Sequence, residues 1–249
     1  MKLLAFETAT EACSVALWID GQVRERFELA PRRHAELALP WAQQLLAEAG
    51  IGKSQLDAIA VGRGPGAFTG VRLAIAIAQG IALALDRPMV AVSTLAALAL
   101  QSRPLTPRGE EPGVDQKLRA DRRVLTAIDA RMNEVYLGRF ELREGELIAL
   151  ADETIVTPDA VCVPDDGSDW HGVGTGFAAL DGRLHQRLLD RLVTVDADAL
   201  PHAADVARLA AMAYERGEAL APELVEPAYL RNNVALTIAE QQALRDSRG

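Results

Sequence analysis

The sequence predicts an α/β protein with two mixed sheets, each flanked by helices. Two observations lead to this prediction. The same opening of strand, strand, tight turn and strand occurs at the N-terminus and again in the second half of the chain. In the first half, short apolar segments alternate with longer apolar segments of helical length, which is typical of helices that cross over between parallel strands.

The first half opens with an antiparallel meander of three strands. The dipeptide Asp20-Gly21 predicts the tight turn between the second and third strands. Leu37, Trp41 and Leu45 then recur at helical spacing, and Gly50 marks the end of that helix. The predicted elements are strands Lys2–Phe6, Ser14–Ile19 and Gln22–Leu29, a helix over His34–Gly50, a strand at Ala58–Val61, a helix over Thr69–Leu85 and a strand at Met89–Val92.

The second half repeats this opening. In both halves the first strand ends on an acid, Glu7 or Asp129, and a hairpin follows. A duplicated three-strand opening is typical of the actin and hexokinase superfamily, so we predict two actin-like (RNase H-like) domains. Coincidence between two ordinary hairpins is the alternative. The strands of the second opening are predicted at Val124–Ile128, Glu134–Leu142 and Glu146–Ala151, with the turn at Glu144-Gly145.

The chain is expected to divide into a first actin-like domain at residues 1–100 and a second, reduced one at residues 124–249. Residues 101–123 contain three prolines and mixed charge, which predicts a linker or an exposed loop, with an RNA-binding arm as the alternative. Within the second domain, Gly172–Phe177 is expected to form a strand and turn, and Asp205–Arg216 a helix.

Composition limits the classes of function. The 249 residues carry a net charge of -9, which argues against independent nucleic-acid binding, because phosphate binding depends on clustered Lys and Arg. Cys13 and Cys162 lie far apart, so neither a zinc site nor a disulfide framework is predicted. The N-terminal apolar run is too short for a signal peptide, and two polar residues interrupt Val71–Leu85. We therefore expect a cytoplasmic protein without a membrane span.

A glycine-rich segment, Gly62–Arg72, joins a buried strand to a helix. Glycines permit positive φ and close backbone approach, and a helix N-terminus offers free N–H groups to an anion. The segment has no Gly-Lys-Ser/Thr sequence, and its glycine spacing differs from the dinucleotide-binding pattern. It is either an anion-binding loop or a tight turn in which Thr69 caps the helix, and the spacing favours the turn.

The helix after this loop has almost no polar face, so it must be covered on all sides. The helix over His34–Gly50 is similarly apolar. One side of each can pack on a sheet, whereas the other needs a further helix or another protein. We therefore predict a helical oligomerisation face, the alternative being that the second domain covers both helices. The candidate interface residues are Leu37, Trp41, Leu45, Ala74, Ala78 and Ile81.

Residues able to do chemistry are few. The four histidines show no short-range metal-ligand pairing, and His34 opens a helix, where a packing or capping role is common. Polar residues of the first hairpin lie where an actin-like ATPase approaches phosphate and metal, with a solvent-facing turn as the alternative. The candidates for a vestigial nucleotide site are Glu7, Thr8, Thr10, Glu11 and, from the second half, Asp129.

Several segments resemble one known family. They are FETATEACSVAL from Phe6, RRHAELALP from Arg32, VGRGPGAFTGVRLAIAIAQGIALAL from Val61, PMVAVSTLAAL from Pro88 and IDARMNEVYLG from Ile128. On these segments the chain is identified as a member of the TsaB family, formerly called YeaZ. The resemblance covers Met1–Leu98 and Val124–Phe140, and is thin beyond that apart from EPAYLR near the end.

The resemblance implies an actin-like fold and a non-catalytic role beside the catalytic subunit TsaD and the ATPase TsaE. That complex transfers a threonylcarbamoyl group from its adenylate to N6 of the adenosine next to the anticodon, in tRNAs reading codons that begin with adenine. It also implies a helical interface used for homodimers and for pairing with TsaD. The chain would then need no cofactor and would meet tRNA only through the complex.

The catalytic paralogue has an HxxxH metal motif after the strand equivalent to Met89–Val92, where this sequence has Thr94 and Leu98. Neither side chain replaces imidazole as a metal ligand, so no catalytic or metal-binding residue is expected. Two alternatives stay open. One is a structural homodimer unrelated to tRNA, and the other is an active actin-like ATPase or glycoprotease-type hydrolase whose magnesium ion is held by Glu7, Glu11 and Asp129.

Overall fold

The computed structural model describes residues 1–102, 121–164, 167 and 169–231. Its first sheet has the strand order β3-β2-β1-β4-β5. The first three strands pair antiparallel, whereas β1, β4 and β5 run parallel. These strands are β1 (Lys2–Glu7), β2 (Ala12–Ile19), β3 (Gln22–Leu29), β4 (Ala58–Gly62) and β5 (Met89–Val92).

The second sheet repeats this topology, with the order β11-β10-β6-β7-β8 and β9 paired with β7. The meander β6-β7-β8 is antiparallel, and β10 and β11 run parallel to β6. Since the two sheets have equivalent strand orders, the predicted fold class is confirmed. The strands are β6 (Arg122–Arg131), β7 (Glu134–Arg143), β8 (Glu146–Ala149), β9 (Thr154–Val156), β10 (Trp170–Val173) and β11 (Leu192–Asp196).

Both meanders contain a hairpin turn at the predicted residues. Asp20 and Gly21 have φ values of 47° and 94°, and Glu144 and Gly145 have 52° and 87°. Two consecutive positive φ values give a turn whose twist matches that of the flanking strands, and glycine adopts them at little cost. The dipeptides therefore determine where each meander turns.

Helices cover both faces of the first sheet. Leu4 and Phe6 of β1 pack towards α1 and α2, whereas Leu3 and Ala5 pack towards α5, as expected from the alternation of side chains along a strand. The predicted helix in the second half is confirmed, but it lies on the first sheet. The helices are α1 (His34–Ala49), α2 (Phe68–Leu85), α3 (Thr94–Ala99), α4 (Ala179–Arg187) and α5 (Ala203–Glu215).

The division into two domains stays a prediction. Residues 103–120 of the predicted linker lie outside the described residues, and β6 already begins at Arg122. Because α5 follows the second sheet in the chain but contributes to the core of the first, contacts cross the predicted boundary. The strand and turn predicted at Gly172–Phe177 are found as the end of β10 and a single 3-10 turn at Thr175–Phe177.

By length and composition alone, α2 could cross a membrane, with a mean hydropathy of 1.7 over 18 residues. The expectation that Val71–Leu85 falls short of a membrane span does not hold for the full helix, which begins three residues earlier at Phe68. In the fold, Ala74, Ala78 and Ala82 of α2 are fully buried among strand residues of the first sheet. A helix that covers a central sheet can have the same length and composition as a membrane span. Length and composition therefore do not distinguish a membrane from a protein core.

Two glycine-to-alanine substitutions in α2 are expected to have opposite effects on stability. A Cβ at Gly70 would lie 2.0 Å from the carbonyl oxygen of Thr8, so Gly70→Ala should lower the free energy of unfolding by about 1–3 kcal/mol. Gly80 has open space there, so Gly80→Ala should raise it by about 0.5–1 kcal/mol through helix propensity. Urea denaturation measures both, and a shift of the same sign would contradict the contact between α2 and Thr8.

Candidate functional site

The carboxyl group of Glu7, at the end of β1, is enclosed by the glycine-rich segment and by α3. Its Oε1 accepts a hydrogen bond from the Ala9 N–H at 2.7 Å, and its Oε2 accepts one from the Thr94 hydroxyl at 2.9 Å. A Cβ at Gly62 would lie 1.9 Å from Oε2, so any other residue there would displace the carboxyl group. Burial raises the pKa of Glu7 to about 7, against the effect of the hydrogen bonds.

The glycine-rich segment packs against the residues that follow β1. The Thr8 hydroxyl donates to the carbonyl oxygen of Gly70 at 2.7 Å, and the Ala67 N–H donates to that of Ala9 at 2.7 Å. The predicted Thr69 cap is wrong, because α2 begins at Phe68 without a side-chain cap. The segment is thus a tight turn that holds the start of α2 against the first hairpin.

A cleft of about 1380 Å³ opens between the two halves of the chain. From the first half it is lined by the first hairpin, the residues before α1 and the start of α2. From the second half it is lined by the tip of the β6-β7 hairpin and by residues 227–231. Charged and aromatic side chains are prominent in its wall, among them Glu11, Arg32, Arg72, Asp129, Arg131 and Tyr229.

The cleft brings together only part of the predicted nucleotide site. Thr10, Glu11 and Asp129 line it, whereas Glu7 and Thr8 are buried and take no part in its wall. Within the described ranges, no group of three His, Cys, Asp or Glu side chains could hold a metal ion. The three acids of the magnesium alternative are therefore not gathered around one point.

Residues 226–231 form a strap across one side of the cleft. The Ala228 N–H donates to the Arg63 carbonyl at 2.8 Å, and Arg72 Nε donates to the Tyr229 hydroxyl at 3.0 Å. At the other end, Arg231 pairs with Glu134 at 2.7 Å. The sequence marks EPAYLR only as part of the family resemblance, because no local pattern indicates that the segment bridges the two halves.

The predicted interface residues divide into two groups. Leu45, Ala74 and Ala78 are fully buried in the core of this chain, so they cannot form an accessible surface, and their assignment to the interface is corrected. The reason is that a uniformly apolar helix does not show which face lies on the sheet. Leu37, Trp41 and Ile81 are half-buried and pack at the edge of the same core.

The outward face of α2 carries exposed small and apolar residues. Ala76, Gly80 and Ala84 recur every four residues and are all exposed. Leu83 is 62% exposed beside them, and Leu39 of α1 is 45% exposed. An interface in this region would therefore use residues offset from those predicted.

Thr94 and Leu98 contribute to packing. Thr94 is fully buried, and its hydroxyl oxygen also accepts a hydrogen bond from the Gly64 N–H at 3.1 Å. Leu98 is fully buried in a cluster with Val124, Phe140 and other residues between α3 and the second sheet. Both side chains therefore hold α3 in place.

Two sheets of equivalent strand order with a cleft between them define the actin-like class of α/β proteins. The family model described as TsaD, tRNA N6-adenosine threonylcarbamoyltransferase, matches residues 27–239. The chain is 42% identical over 239 residues to the tRNA threonylcarbamoyladenosine biosynthesis protein TsaB of Escherichia coli (strain K12), covering 94% of this chain and 96% of that protein. The Haemophilus influenzae protein of the same name is 36% identical over 242 residues, covering 94% and 95%.

A solved structure agrees with these relatives. The crystal structure of an uncharacterized protein with similarity to peptidase YEAZ from Pseudomonas aeruginosa superposes with a TM-score of 0.80 at 46% identity. It covers 92% of this chain and 99% of that one. The chain belongs to the TsaB family, also called YeaZ.

The buried Glu7 predicts a pH-dependent stability. Its pKa is about 7 in the folded chain and 4.5 ordinarily, so the protonated carboxyl stabilises the fold below pH 4.5 and this stabilisation is lost as the pH rises to about 7. Relative to Glu7→Gln, the free energy of unfolding of the native chain should fall by on the order of 3 kcal/mol across this range. Urea denaturation at several pH values tests this. Thr94→Ser keeps the hydroxyl donor and serves as the control, so its free energy of unfolding should fall over the same pH range as that of the native chain.

Proposed function

We propose that this chain acts in tRNA threonylcarbamoyladenosine biosynthesis as a non-catalytic partner subunit. Its partners are a TsaD-type catalytic subunit and, through that complex, a TsaE-type ATPase. The reaction is transfer of the threonylcarbamoyl group from threonylcarbamoyl-AMP to N6 of the adenosine 3' of the anticodon, in tRNAs reading codons that begin with adenine. We place the complex in the cytoplasm, with this chain forming a homodimer when alone.

The observation that carries the non-catalytic role is the position of Thr94 and Leu98. At these two positions, where the catalytic paralogue has imidazole ligands, the side chains are fully buried and form part of the packing around α3. Thr94 is held between Glu7 and the backbone of Gly64 by two hydrogen bonds. Aliphatic and hydroxyl side chains engaged in this way are poor ligands for a catalytic metal.

The outward face of α2 supports the pairing with another subunit. Small side chains at Ala76, Gly80 and Ala84 allow a second helix to approach closely, and the exposed Leu83 adds apolar area. Such a face can pair with its own copy around a two-fold axis, or with a subunit of related fold that presents a similar helix. We therefore propose that this one surface forms the contact in both the homodimer and the heteromer.

The decisive variants are Gly80→Glu and its control Gly80→Ala. Both relieve the helix-propensity cost of glycine at an exposed position, so both should stay folded. Glutamate would place an unpaired charge in the centre of the subunit contact and should weaken pairing with the catalytic paralogue about a hundredfold or more. Light scattering after size-exclusion chromatography measures the complex for each variant.

A threonylcarbamoylation assay with the catalytic paralogue, a TsaE-type ATPase, ATP and tRNA then tests the role. Native chain and Gly80→Ala should support tRNA modification, and Gly80→Glu should not. If Gly80→Glu pairs normally, the interface lies elsewhere. If the native chain forms no heteromer, or hydrolyses ATP or peptide unaided, the partner-subunit proposal is wrong.

A further inference from the structure

The wall of the cleft is basic in a protein whose net charge is -9. Four arginines line it against two carboxylates, those of Glu11 and Asp129. Arg131 is paired with Asp129 at 3.1 Å. Arg32 and Arg72, however, form no ion pair with a carboxylate in the part of the chain that the structure describes. Among the described residues, the cleft therefore offers two guanidinium groups that no carboxylate neutralises.

Two of the cleft arginines lie in an unfavourable backbone conformation. Arg32 has a φ of 69° and Arg131 a φ of 62°. Glycine adopts such values at much lower cost, so the backbone alone does not explain a long cationic side chain at either position. Strain of this kind clusters at ligand-binding sites. At Arg131 the positive φ is shared with Met132 and Asn133 of the same turn, so Arg32 is the residue whose strain supports ligand contact.

Aromatic rings flank Arg72 at the edge of the cleft. Its guanidinium carbon lies 3.2 Å from the ring centroid of Phe68 and 5.3 Å from that of Tyr229. Phe68 is 60% exposed and Tyr229 is 54% exposed. A cation beside exposed aromatic faces fits a ligand that carries both negative charge and flat rings, as unpaired nucleotides do.

Three features favour an RNA strand over a compact nucleotide. The cleft, about 1380 Å³, exceeds the volume of about 300–1,000 Å³ that is typical of small-molecule pockets. Its four cationic groups come from separate elements on both halves of the chain: the residues before α1, the start of α2, the β6-β7 hairpin and the strap at residues 226–231. The exposed rings lie at the edge of the cleft, where bases that are not paired in a duplex could stack.

We infer that the cleft binds unpaired nucleotides of an RNA loop, with Arg32 and Arg72 contacting phosphates and Phe68 and Tyr229 stacking on bases. The inference rests on the proposed function, which makes tRNA the substrate of the complex. It departs from the expectation that the chain meets tRNA only indirectly. The acidic remainder of the surface opposes binding, so the contact is short and depends strongly on salt.

The test is fluorescence anisotropy of a labelled RNA stem-loop with the native chain at several salt concentrations. Two phosphate contacts should give a slope of about -1.4 for log K against log salt, and Arg32→Ala should reduce it by about 0.7. Phe68→Ala removes an exposed ring, so it should stay folded and weaken binding about tenfold. An RNA duplex of equal length should bind at least tenfold more weakly than the stem-loop.

Arg143→Glu is the matched control for Arg32→Glu. Arg143 is exposed and lies at the opposite end of β7 from the cleft, about 30 Å away along the strand. Arg32→Glu should reduce binding of the stem-loop at least tenfold, whereas Arg143→Glu should leave it within about twofold. Equal losses in both variants would mean non-specific attraction and would overturn the inference.

Two further results would also overturn it. One is equal binding of the stem-loop and the duplex. The other is complete displacement of the stem-loop by AMP at a concentration near the Kd of the stem-loop, which would make the cleft a mononucleotide site. In light scattering, Arg32→Glu should still form a normal heteromer with the catalytic paralogue. This result separates the present inference from the proposed function. A normal heteromer without RNA binding by the native chain contradicts only the cleft, whereas RNA binding without a heteromer contradicts only the partner role.

Discussion

The buried carboxyl group of Glu7 is the interaction on which the first half of the structure depends. It ties the end of β1 to α3 through Thr94 and to the glycine-rich segment through the space left by Gly62. A charged group this far from water is costly, and the raised pKa expresses that cost. The three elements therefore meet at one polar point inside an otherwise apolar core.

The direction of α2 places residues in both of the surfaces for which we propose a function. Its start carries Phe68 and Arg72 into the cleft, and Gly80, twelve residues after Phe68, lies on the outward face about 18 Å from Phe68 along the axis. Because a helix packed on a sheet is rigid, a ligand in the cleft and a partner on the outward face would contact one rigid body. The apolar composition of α2 thus covers the sheet on one side and leaves exposed small and apolar residues on the other.

The two halves are joined by contacts between residues far apart in the chain. Glu25 on β3 accepts hydrogen bonds from the Ser14 hydroxyl and from the Ala204 N–H, 179 residues away, at the start of α5. A carboxylate at a helix N-terminus is favourable because it meets free N–H groups and the positive end of the helix dipole. With the strap at residues 226–231, this contact makes the C-terminal part of the chain a component of the first half. No local pattern predicts such pairings.

The sequence by itself determined the elements whose signals are local: both antiparallel meanders with their turns at Asp20-Gly21 and Glu144-Gly145, the helices α1, α2 and α5, the duplicated opening and the family. The resemblance to the family also implies that Thr94 and Leu98 stand where the catalytic paralogue has imidazole ligands. Only the tertiary structure decided that Glu7 is buried behind the cleft and that α2 turns Gly80 outward with Ala78 on the sheet. The reason is physical: turn chemistry and side-chain period act over a few residues, whereas burial and the choice of face depend on what packs from elsewhere in the chain.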